Sequence, residues 1–105
     1  MISVGRGKFK VWLKDTTHGD DVVLFLGGGE KTHIGSVIVC EPGKKARVIN
    51  RKGHFDWMVG KPIASIVCKR RKKPVVCISG IHVENASKAD IKKIKDNCRL
   101  IEEKI

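Results

Sequence analysis

The sequence predicts an α+β domain: an antiparallel β-sheet of about five strands with two helices on one face, in the order β-β-β-β-α-β-α. Three observations lead there. Four short extended segments come first, joined by connections too short for the crossover that parallel strands need. The apolar period then changes from strand-like to helical at about residue 55. One further apolar strand follows, and an amphipathic helix closes the chain.

The elements can be justified in turn. Residues 8–15 alternate, with Phe9, Val11 and Leu13 on one face and Lys8, Lys10, Trp12 and Lys14 on the other, as in a half-buried strand. Residues 16–20 read as a turn, which leaves His18 exposed. Residues 21–26 are continuously apolar from Val22, as expected of a central strand. Strands over 34–41 and 46–51 flank the turn Pro42-Gly43-Lys44-Lys45. A helix over 56–70 is expected from the apolar spacing of Phe55, Val59, Ile63, Ile66 and Val67, with Pro62 bending it near Gly60. Residues 74–80 form a buried fifth strand. Ser87 is an N-cap, with Asp90 in the capping-box position. In the helix that follows, Ile91, Ile94, Cys98 and Ile101 make the buried stripe, and Lys92, Lys93, Lys95 and Asp96 face water.

Composition narrows the function classes. A chain of 105 residues, 41% hydrophobic and 31% charged, supports one domain with one modest core. No apolar run reaches the length of a membrane span, and the first residues lack a signal-peptide core, so the expected location is the cytoplasm. Cys40, Cys68, Cys77 and Cys98 form no Cys-x-x-Cys pair, which argues against a zinc ribbon and for reduced thiols. Basic residues outnumber acidic ones 22 to 11, a net charge of +11 that attracts phosphate-bearing partners. The densest basic run, 69–73, reads as a helix C-terminus and its connection to the next strand. Nucleic acid is disfavoured as a partner, because aromatic content is 5% and tyrosine is absent, leaving no stacking platform.

The candidate site lies in three glycine-flanked histidine segments. The first runs from Gly27, Gly28 and Gly29 to Lys31, Thr32 and His33, and reads as a binding loop whose glycine N–H groups suit an anion. The second is Gly53-His54 with Asp56, and the third is His82 with Glu84 and Asn85. Each of these three histidines falls at the end or start of a predicted strand, so the loops at 27–35, 52–56 and 80–86 can gather at one rim. Such a pocket would suit a divalent transition metal held by His33, His54 and His82, or a phosphate or flavin-like ring. No nucleophile elbow, P-loop or dinucleotide fingerprint is present, which points to a binding protein rather than an enzyme. A basic nucleic-acid-binding module and a small metal-dependent enzyme are the alternatives.

These motifs also carry a resemblance. Gly-Gly-x-x-x-His-Ile-Gly-x-Val from Gly28, Gly-His-x-Asp from Gly53 and Gly-Ile-His-Val-Glu-Asn-Ala-Ser from Gly80 are similar to those of the small accessory protein of gallate-type hydroxyarylic-acid decarboxylases, a prenylated-flavin chaperone. Glu84 stands where that family more often has aspartate. The resemblance spans the chain from about Gly28 onward. It implies a fold like that of proteasome-assembly chaperones and a non-catalytic homodimer that binds prenylated flavin mononucleotide (FMN). It further implies delivery of that cofactor to a prenylated-flavin-dependent decarboxylase, an association with a flavin prenyltransferase, and His33, His54 and His82 as binding residues.

Overall fold

The computed structural model describes residues 1–54 and 56–105; the expected stripe position at Phe55 lies outside the described residues. The elements are β1 (Ile2–Val4), a single 3-10 turn (Gly7–Phe9), β2 (Val11–His18), β3 (Asp21–Gly29), β4 (Lys31–Cys40), β5 (Arg47–Asn50), α1 (Trp57–Arg71), β6 (Val75–His82) and α2 (Lys88–Lys104). The α+β class and the two helices are as expected. The sheet is not: it has six strands in the order β1-β2-β3-β6-β4-β5, and it is mixed. β6 runs parallel to β3 and antiparallel to β4, because α1 supplies the crossover that carries the chain back into the middle of the sheet.

Local boundaries shift for identifiable reasons. The alternation at 8–15 becomes a strand only from Val11, since residues 7–9 turn to place Phe9 under the ammonium groups of Lys8 and Lys93, 5.3 and 4.7 Å from its ring centre. Val11 and Leu13 face the core as their spacing predicts. Residues 16–18 continue β2, and the hairpin turns on Gly19-Asp20 alone, with His18 paired to Asp21 and exposed. α1 runs unbroken through Gly60 and Pro62. The basic run at 69–73 ends α1, where Lys72 adopts the left-handed conformation and its N–H closes on the Cys68 carbonyl at 2.8 Å.

One face of the sheet carries the core. Val11 and Leu13, Val22, Leu24 and Leu26, Ile38 and Cys40, and Val75 and Cys77 are buried there against Ile63, Ala64 and Val67 of α1 and Cys98 and Ile101 of α2. All four cysteines are free and buried, and burial pushes the Cys77 and Cys98 thiols up to about 12. The opposite face alternates with this one and is also apolar. Register sets Phe25 beside Ile78, Ile78 beside Val37 and Val37 beside Ile49, with Val23, Val76 and Val39 forming a second row. These residues are partly exposed, and Ile49 is 70% exposed. The strand at 75–82 is therefore interior to the sheet but covered on one side only.

Candidate functional site

The site begins with an irregularity in β4. Thr32 pairs with Ile81 and Ser36 with Ser79, so residues 33–35 stand opposite the single residue Gly80 and bow out of the ladder. Glycine is required at 80, because a Cβ there would overlap the His33 carbonyl. Gly35 is equally constrained, since its missing Cβ leaves room for the Asp56 carboxylate. Arg51 clamps the bulge: its guanidinium donates to the Ile34 carbonyl and its backbone N–H to the Gly35 carbonyl, both at 2.9 Å.

Asp56 ties this bulge to α1 and β6. As N-cap of α1 it makes no side-chain cap; its carboxylate accepts the Ile81 N–H at 2.9 Å instead. Its carbonyl accepts from the Ser79 hydroxyl and from the Gly60 N–H, each at 3.0 Å. The turn carrying Gly53 and His54 is thereby drawn toward the end of β6. Three imidazoles meet. The His33 ring centre lies 5.0 Å from that of His54 and 5.8 Å from that of His82, the latter edge-on. His54 Nδ1 is 3.0 Å from the Lys52 carbonyl, which can only accept, so Nδ1 carries the proton and Nε2 is left for a ligand. His82 Nε2 meets the Glu84 carboxylate at 3.0 Å, which leaves Nδ1.

These groups form one edge of a cleft of about 640 Å³, within the range of roughly 300–1,000 Å³ common for small-molecule sites. His33, Gly53, His54, Asp56 and His82 line it, within a single chain. The rest of the lining is largely apolar: Met58 and Val59 from α1, Ile81 from the end of β6, Val83 and Ala86 from the segment after it, and Ile91 and Ile94 from α2. Lys95 is the cation of the lining. Both helices begin at the cleft, so their positive dipole ends add to it.

Other expected positions fall elsewhere. Gly27, Gly28 and Gly29 are not a loop but the end of β3, paired with β2 and β6, and only Glu30 separates them from β4. Nor do they offer a free anion nest: the Gly28 N–H is donated to Thr32 Oγ1 at 3.0 Å and the Gly29 N–H to the Lys10 carbonyl at 2.9 Å. Lys31 and Thr32 pair with His82 and Ile81 in β4 and do not line the cleft. Glu84 touches the cleft through His82, and its own N–H donates to the Glu30 carboxylate at 2.9 Å. Asn85 takes the left-handed turn (φ 51°) before α2. Among the described residues, no group of three or more His, Cys, Asp or Glu side chains is arranged to hold a metal ion.

Sequence reasoning missed the helical wall. Ile91 belongs to the expected buried stripe but is 45% exposed, at the cleft, and Lys95, expected in water, is partly buried there. Their i, i+4 spacing was the available signal, for it puts both on one helix face.

Fold and cleft together describe a small α+β domain with a largely apolar cleft at the start of its two helices. A family model described as a prenylated flavin chaperone LpdD-like domain matches residues 5–105, and the chain belongs to that family. No curated protein matches the chain.

Asp56→Ala should lower stability by about 2 kcal/mol, the scale of a hydrogen bond to a charged group whose partner is left unpaired. Asp56→Asn, which keeps the acceptor for Ile81, should lose less than half as much. Urea unfolding of the two variants checks this, and equal losses would contradict the assigned role.

Proposed function

We propose that the cleft holds prenylated FMN and that the protein keeps it for delivery to a prenylated-flavin-dependent decarboxylase. The observation that supports this best is the convergence of His33, His54 and His82 on one edge of a cleft that is otherwise apolar. A flavin has the same division, with polar heteroatoms along one edge of a flat ring system. In this reading the imidazoles meet that edge, with Nε2 of His54 and Nδ1 of His82 free to bond it. Lys95 and the two helix N-termini serve the phosphate. Asp56, Gly35 and Gly80 hold the bulge. Gly27, Gly28, Gly29, Lys31, Thr32, Glu84 and Asn85 act by shaping the strand ends and the turn rather than by contact. No residue is assigned a catalytic role. The cofactor would be received from a flavin prenyltransferase, in a cytoplasm whose reducing state suits four free thiols.

We also assign the uncovered sheet face to a second copy of the chain. The rows Phe25-Ile78-Val37-Ile49 and Val23-Val76-Val39 form an apolar surface across four strands, larger than scattered exposed residues need explaining. A two-fold axis would set such a face on itself.

Two measurements test these readings. His33→Ala and His82→Ala should each weaken prenylated FMN binding by about 2 kcal/mol, roughly thirtyfold. His18→Ala, in the distant hairpin, should change nothing. Titration by flavin fluorescence decides, and parental affinity in all three variants would refute the cleft assignment. Sedimentation should report a dimer, and Ile78→Lys a folded monomer. A parent protein that is monomeric at high micromolar concentration would refute the second copy.

A further inference from the structure

We propose that the wall built by Met58 and Val59 of α1 with Ile91 and Ile94 of α2 recognises the prenyl-derived part of the cofactor and so distinguishes prenylated from unprenylated FMN. This inference rests on the reading of the cleft as a prenylated-flavin site. It adds which residues of that cleft would set its selectivity.

The two walls of the cleft differ in chemistry. The imidazoles of His33, His54 and His82 form one. The helical wall contributes apolar side chains, apart from Lys95. Within that wall, Val59, Ile94 and the neighbouring Ile81 are partly buried against the core. Met58 and Ile91 are not: each is 45% exposed, among the most exposed large apolar side chains of the described residues. Their position is held nonetheless. Ile91 lies in the first turn of α2, fixed by the reciprocal Ser87–Asp90 capping box and by its own N–H on the Ser87 carbonyl at 3.0 Å. Met58 lies in the first turn of α1, fixed by the Asp56 contacts to Ile81 and Ser79. Two apolar side chains held at an open cleft by well-anchored helix starts are prepared to cover an apolar ligand group.

Unprenylated FMN already has a polar edge for the imidazoles and a phosphate for Lys95. Prenylation adds five carbons, part of which close a further ring on the flavin, and no hydrogen-bonding heteroatom. The imidazole wall gains little from such an addition. The helical wall gains apolar contact, worth about fourfold in affinity for each methylene taken out of water.

The test compares prenylated FMN and FMN on the intact protein, and the ratio of their dissociation constants is the readout. The parent should favour prenylated FMN by about tenfold or more. In the combined variant Met58→Ser with Ile91→Ser the ratio should fall to about threefold or less, while Ile91→Leu should retain most of it. Circular dichroism checks that the variants are folded; both positions are open enough to accept a hydroxyl. Equal binding of the two flavins by the parent overturns the inference alone, as does a ratio preserved in the double variant. Equal loss for both flavins in that variant also overturns it, because the wall would then serve the shared ring system. If the parent binds neither flavin, the reading of the cleft fails and this inference with it.

Discussion

The geometry of this protein depends on β6 entering the slot between β3 and β4. Those two strands are consecutive in the chain, and only Glu30 joins them, yet they are not neighbours in the sheet. The chain crosses the end of β6 at that joint, where the Glu30 N–H closes on the His82 carbonyl at 2.8 Å. Gly28 and Gly29 make the crossing possible. Both have positive φ, and side chains there would run into the Lys10 and His82 carbonyls. The same insertion places Gly80 beneath the β4 bulge and the Ile81 N–H within reach of Asp56. His33 and His82 therefore reach one edge, and Arg51 and Asp56 draw the His54 turn toward them.

What was legible in the sequence was local. The burial of Val11 and Leu13, the Ser87–Asp90 capping box, the helical phase of 56–70 and the basic end of α1 each follow from residue type and spacing over a few positions. The convergence of the histidines was also legible, because glycine flanks and strand ends limit where such residues can sit. Strand order was not. Nothing near Val75 indicates that it will pair with Val22 rather than extend a meander, since that pairing is decided by long-range contacts through α1. The glycine run misled for a related reason. Three glycines suggest a loop by intrinsic preference, and close backbone approach overrode that preference. Ile91 misled because a stripe counted from periodicity has no natural end. The first turn of α2 projects past the core, and the apolar pattern continues into the cleft.

The two faces of the sheet divide the labour of the fold. The helices cover one face and, at their N-termini, build the cleft with the ends of β4 and β6. In the proposed reading, stability and binding share α1 and α2, with Ile63, Val67, Cys98 and Ile101 in the core and Met58, Ile91 and Lys95 at the cleft. The apolar opposite face takes no part in the cleft, so a partner there could be gained or lost without rebuilding the site. In the proposed reading, the net positive charge of the chain and Lys95 at the cleft both favour an anionic cofactor.

The central claim is that three of the four histidines form one binding edge, and the imidazole resonances report on it directly. With the histidine rings isotopically labelled, addition of prenylated FMN should shift the signals of His33, His54 and His82 together, saturating at one stoichiometry, while His18 stays in place as an internal control. Shifts confined to a single histidine, or a His18 signal that moves with the others, would contradict the account.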